Sequence, residues 1–216
     1  MSERSESKGF TLAELLISIG IMTVILTVII SKQSTYTDAT ALTNLADDIS
    51  SSIAQAQVYG IGVKEFSPGL GEFSASYGLT FSLLSGANSG SNVAYLSFAD
   101  RNGNKGYDGD WSCPISDASE CLKRVDISGG NYIEKLCSIR TSGANLCNVG
   151  RVDISFARPS TKAQLLFFDT SGVALNPAPL IGIQIVLNSP GGLTRSVIIY
   201  RAGQISSSGS PPPLGI

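Results

Sequence analysis

Three sets of residues in this 216-residue chain have types and spacings that could do chemistry. The first is a lone acid. Glu14 is the one ionisable residue between positions 10 and 30, in a run that is otherwise apolar or hydroxyl-bearing. At about 1.5 Å rise per residue a helix of that run reaches about 31 Å, the thickness of a bilayer's hydrocarbon layer. A carboxylate there costs about 2.5–3.5 kcal/mol on insertion scales, so its chemistry is to answer a cation.

The second set lies in Asp100-Arg101-Asn102-Gly103-Asn104-Lys105-Gly106-Tyr107-Asp108-Gly109-Asp110. Asp100, Asn102, Asn104, Asp108 and Asp110 put oxygen-bearing side chains into one short loop, the first three on alternate positions, as in the early half of a calcium loop. Two departures stand against calcium. Lys105 occupies the place where such a loop turns on Gly, and Trp111 stands where a bidentate Glu would close it. The other reading is a turn in which Asn and Asp side chains bond their own backbone beside Gly103 and Gly106; both stay open. Tyr107 and Trp111 beside the loop are read as caps on a small core, or else as an exposed binding surface.

The third set is Cys113, Cys121, Cys137 and Cys147. Their spacing matches no zinc pattern of close Cys pairs and fits disulfides in an oxidising compartment. Three pairings are possible, and two short local loops, Cys113 with Cys121 and Cys137 with Cys147, are the favoured one.

Other chemistry is excluded by what is missing. With no histidine in the chain, the usual general base and the commonest metal ligand are both gone. Ser-x-x-Lys occurs as Ser5-Glu6-Ser7-Lys8 ahead of the apolar run, and Gly69-Leu70-Gly71 lacks the context of a phosphate loop. No enzyme is expected. With 15 basic and 17 acidic residues, a net charge of −2 and no basic run, nucleic-acid binding is not indicated.

The elements that position these residues follow from periodicity. Ala39, Leu42, Leu45, Ala46, Ile49, Ile53, Ala56 and Val58 recur at helical steps with Asp38, Asp47 and Asp48 facing away, so one helix continues out of the apolar run to about Val58, ended by Gly60 and Gly62. Beyond it, short β-branched and aromatic runs are predicted as strands at 77–84, 93–99, 125–127, 152–156, 164–168, 181–187 and 196–200, the last two a hairpin around Asn188-Ser189-Pro190-Gly191-Gly192. The expected fold is α+β: a long N-terminal helix, transmembrane half plus amphipathic half, packed on a C-terminal antiparallel β domain.

The run Lys8-Gly9-Phe10-Thr11-Leu12-Ala13-Glu14-Leu15-Leu16, after a polar leader and before an apolar helix, resembles the type III signal of type IV pilins and pseudopilins. The resemblance implies cleavage after Gly9 by a prepilin peptidase, N-methylation of Phe10, and pairing of Glu14 with the terminal amine of a neighbouring subunit during assembly. An ordinary secretory signal is a poorer fit, since the run is too long and the leader carries Glu3 and Glu6 beside Arg4 and Lys8.

The implied organisation is a leader at 1–9, a transmembrane half at 10–31, an amphipathic half at 32–59, a pilin-like β domain at 60–205 with a loop and disulfide region at 100–147, and a flexible tail at 206–216. Ile154-Ser155-Phe156-Ala157-Arg158-Pro159 and Gly203-Gln204-Ile205 resemble the C-terminal part of H-type minor pseudopilins and related minor pilins. The function implied is a structural subunit, minor pilin or pseudopilin, of a type IV filament or type II secretion system. Its implied partners are other subunits through the helix, the prepilin peptidase and an inner-membrane assembly platform. Arg4 and Lys8 before the span favour a cytoplasmic N-terminus in the inner membrane with an exported body, then a filament in the periplasm or at the cell surface. The alternative is a singly anchored, calcium-stabilised extracellular binding or adhesion module.

Overall fold

The computed structural model describes residues 10–62, 75–86, 89–114 and 119–208, with the side chains of 31–35 left aside. One helix, α1 (Leu12–Ile61), runs the whole predicted length and beyond. Its start is a capping box: the Thr11 hydroxyl accepts the Glu14 backbone N–H at 3.3 Å, and the Glu14 carboxylate accepts the Thr11 N–H at 3.0 Å. Hydroxyls in the apolar half bond back to the helix, Ser18 to the Glu14 carbonyl at 2.7 Å and Thr23 to that of Ile19 at 2.6 Å, so none needs water.

The helix ends at Gly62, whose N–H reaches the Val58 carbonyl at 2.8 Å, rather than at Gly60. Gly60 lies inside the last turn because the backbone of Phe156 crosses there: a Cβ at this position would sit 2.2 Å from the Phe156 carbonyl oxygen. Leu42, Ala46, Ile49, Ile53 and Ala56 are buried as the stripe predicts, but Val58 is 66 % exposed because the helix turns it away from the sheet.

Among the described residues ten strands follow: β1 (Ser76–Ser82), β2 (Ala94–Asp100), β3 (Cys121–Asp126), β4 (Tyr132–Arg140), β5 (Leu146–Phe156), β6 (Gln164–Asp169), β7 (Ala174–Leu175), β8 (Leu180–Asn188), β9 (Thr194–Tyr200) and β10 (Ile205–Ser208). They form one antiparallel sheet in the order β10-β9-β8-β4-β5-β1-β2-β3, with β6 on the other edge of β5 and β7 beside β6. The fold is thus α+β, a long helix on a large antiparallel sheet. Two strands, β3 and β4, run through the region expected as loop and disulfides. The first residues of the expected tail are not free: Ser206, Ser207 and Ser208 pair with β9, which satisfies their backbone groups, while 209–216 lie outside the described residues.

The sheet is covered on both faces around β1 and β2. On one face α1 closes a core with Leu79, Phe81, Tyr95, Leu136, Val152, Ile154, Phe156, Ile185 and Val197. Phe81 stacks on Tyr95 at 5.3 Å, and the Tyr95 hydroxyl meets Ser52 of α1 at 3.0 Å. On the other face Leu96 and Phe98, one and three strand steps from Tyr95, form a second cluster with Tyr107 and Trp111. That second cover holds the loop after β2 in place.

Candidate functional site

The N-terminal site is built from Phe10, Thr11 and Glu14. Phe10 is 85 % exposed just ahead of the helix, and every residue of 10–30 is exposed. Leu12–Ile30 is long and apolar enough to cross a membrane, and none of it is buried against the rest of the chain. The capping box gives the Glu14 carboxylate a direction. Its Oε2 takes both the N–H and, at 2.9 Å, the O–H of Thr11, while among the described residues Oε1 takes no hydrogen bond. One oxygen is pinned and the other is open. Gly9 and the remainder of the leader lie outside the described residues.

The loop 100–113 brings the second set of residues together and then uses their oxygens internally. Asp100, 2 % exposed, accepts the Gly103 N–H at 2.7 Å, the Lys105 N–H at 2.9 Å and the Ser76 hydroxyl at 2.8 Å. Asn102 and Asn104 each accept the backbone N–H two residues on, and both amides donate to Asp108. Asp110 accepts the Ser112 N–H at 2.7 Å, which holds its carboxyl below the usual range. Among the described residues no three acid or cysteine side chains are placed to share a metal ion. As arranged, the oxygens face N–H groups rather than a common point, so they do not make a cation cage, and no step is derived through calcium.

Lys105 takes the left-handed backbone, φ 74°, that a Gly would adopt without strain. Its N–H is held by Asp100 and its carbonyl by the Ser155 hydroxyl at 3.0 Å. The loop is latched to β5 by Asp153, fully buried, which pairs with Arg151 at 2.5 Å and accepts the Tyr107 N–H at 3.1 Å. Arg151 also donates to the Tyr107 carbonyl and lies 4.8 Å from the Phe168 ring centre. Tyr107 and Trp111 are 2 % and 3 % exposed, so they cap a core and do not form a surface for a partner. Burial pushes the Tyr107 hydroxyl up to about 12, with the charge of Asp110 adding to it.

One residue of this loop was invisible to the spacing argument. Glu120 reaches in from the start of β3 and accepts the N–H of Arg101 at 3.2 Å and of Asp108 at 3.0 Å. Burial, the larger cause, and the charges of Asp108 and Asp100 push its carboxyl above the ordinary value, against those two hydrogen bonds. The signal that would locate it is the β2–β3 pairing, which carries the Ala99 N–H to the Glu120 carbonyl at 2.9 Å.

The cysteines pair locally, Cys113 with Cys121 and Cys137 with Cys147. The first packs beside Phe98 and Trp111 on the small cluster, and the second ties β4 to β5. No curated protein and no solved structure matches the chain. Residues 4–30 match the family model described as the prokaryotic N-terminal methylation motif. That motif is the type IV prepilin signal, and it supports a structural, pilin-like or pseudopilin subunit.

Proposed function

We propose that the chain is cut after Gly9, methylated at Phe10, and assembled through α1 as a minor subunit of a type IV filament or a type II secretion pseudopilus. The observation that carries the reading is the half of Glu14 left unanswered among the described residues, beside a span that none of them covers. The Thr11 N–H and O–H hold Oε2 along the helix start and leave Oε1 for a donor from outside. In lipid a second subunit's terminal amine, freed at Phe10, is a donor of matching charge, and weak screening there makes the pair count. The exposed apolar surface then packs on the spans of neighbouring subunits. The prepilin peptidase and an inner-membrane platform act on the same segment. An exported β domain on a cytoplasmic N-terminus agrees with two disulfides.

The test separates capping from charge. Glu14→Gln keeps an oxygen for the Thr11 N–H, whereas Glu14→Ala removes it. Both variants are expected to be processed, and both to enter filaments roughly tenfold less than wild type, the effect of a lost charge pair. If Glu14→Gln assembles as wild type does, the carboxylate serves only as a cap and the pairing is wrong. Mass spectrometry of the purified chain is expected to find Phe10 first and methylated; a singly anchored binding module would keep residues 1–9.

A further inference from the structure

A cleft of about 360 Å³ opens between three loops on the side of the β domain, lined by Lys105, Ser160, Lys162, Gln164 and Arg201 over a floor of Ala163, Leu165 and Leu166. Its charge runs against that of the whole chain, which is −2: three cations line it and, among the described residues, no carboxylate does. Lys105, Lys162 and Arg201 are exposed, and among the described residues their side chains have no hydrogen bond and no ion pair. Elsewhere in the domain Arg124 meets Asp126, Lys135 meets Glu134 and Arg151 meets Asp153, so carboxylate partners are within reach of some cations but not of these three among the described residues.

The backbone that carries the three cations is held by hydrogen bonds within and between their loops. Lys105 is held at N–H and carbonyl in a left-handed conformation that a Gly would take without cost. The Ser160 hydroxyl accepts the Lys162 N–H at 3.1 Å. The Arg201 carbonyl accepts the Ala163 N–H at 3.0 Å, and its N–H reaches the Ile181 carbonyl at 2.8 Å. From α1, the Gln57 amide donates to the carbonyls of Thr161 at 3.1 Å and Gly203 at 3.2 Å, stapling the second and third loops together.

We infer that this cleft binds a small ligand carrying a dianionic oxyanion, a phosphate monoester in the first place, with its carbon body on Leu165 and Leu166. The size is that of a small-molecule site. A guanidinium fork, two ammonium groups and the Ser160 hydroxyl match the oxygens of a phosphate. Three unpaired positive charges ask for more than one negative one. The headgroups around the chain's own anchor are out of reach, since Gln57 stands about 40 Å of helix beyond Ile30.

The experiment uses the full chain in uncharged detergent, titrated calorimetrically with inorganic phosphate, phenyl phosphate and citrate against chloride at matched ionic strength. Phenyl phosphate is expected to bind most tightly, inorganic phosphate about tenfold more weakly for want of a body on the apolar floor, and citrate in place of phosphate would move the assignment to a polycarboxylate and overturn the phosphate. Lys162→Gln and Arg201→Gln are each expected to weaken phenyl phosphate about tenfold or more, while Lys123→Gln, outside the cleft, changes nothing. Lys105→Gly keeps the test safe from unfolding: it relieves the left-handed strain, so it is expected to melt no lower than wild type and still bind more weakly. No binding of any of the three anions, or binding untouched by Lys162→Gln and Arg201→Gln, overturns the site.

Discussion

Helix α1 is one continuous element with two different surfaces, and the two halves define where this chain is complete and where it is not. From Leu12 to Ile30 the helix is apolar all round and wholly exposed, with a single acid whose carboxylate is half answered. From about residue 37 the helix carries one apolar stripe, buried from Leu42 to Ala56, with Asp47 and Asp48 on the outside. A stripe is a surface for one neighbour, here the sheet of the same chain; an all-round apolar surface is a surface for lipid or for several helices at once. The β domain likewise answers its own buried charges, Asp100, Asp153 and Glu120 all receiving backbone N–H groups.

The largest effect expected from this division comes from deleting the same kind of side chain in each half. Ile53→Ala empties a fully buried position between α1 and the sheet and is expected to destabilise the domain by about 2–5 kcal/mol in denaturant titration. Leu16→Ala, in the exposed half, is expected to leave that titration unchanged. Should Leu16→Ala also lower the stability of the isolated chain, the lower half would have a partner within its own chain and the division would be broken.

The glycines sharpen the same contrast. Gly60→Ala drives a Cβ to 2.2 Å from the Phe156 carbonyl oxygen and 2.9 Å from the Phe156 Cβ, so helix and sheet must separate. A loss of about 1–3 kcal/mol is expected. Gly20→Ala meets nothing within 4 Å and should instead favour the helix by about 1 kcal/mol, seen as a gain in helicity with no change in domain unfolding. A fall in filament incorporation for Gly20→Ala without a fall in stability would place a neighbouring subunit against that glycine.

The sequence makes the two halves easy to read for a physical reason, and the β domain harder. Glu14 stands out because nothing ionisable surrounds it, and the stripe from Leu42 to Ala56 keeps helical period without interruption. Strand β4 is hidden because Glu134 and Lys135 sit side by side at a register shift between Ile133 and Lys135, which breaks the alternation that announces a strand. Strand β10 is hidden because Ser206, Ser207 and Ser208 have no apolar face, whereas their backbone pairs with β9. The loop at 100–110 shows its acids in the sequence and conceals their partners, since Glu120 and Asp153 arrive from distant strands through pairing that no local spacing encodes. The cations of the lateral cleft are scattered for the same reason.

The smallest effect expected separates the two kinds of acid by pH. Glu120 is buried, and its carboxyl is pushed above its ordinary value of 4.5 by desolvation first and by the charges of Asp108 and Asp100 after that. Below 4.5 the group is protonated whether the chain is folded or not, so it contributes nothing to the difference. As pH rises past 4.5 the unfolded chain releases its proton first and the native state still holds one; the native state binds more protons, and stability falls until the raised native value is passed. Glu120→Gln cannot titrate, so the wild type is expected to lose stability relative to this variant across that window, with the gap constant on either side. The change should be modest because the Arg101 and Asp108 N–H groups favour the ionised form and offset part of the burial. Glu14→Gln provides the counterpart: its carboxylate lies outside the domain, so unfolding of the domain followed against pH is expected to superpose on the wild type. A gap that opened as pH fell instead would mean that the two N–H bonds outweigh burial at Glu120, and that the loop is held by an ionised carboxylate.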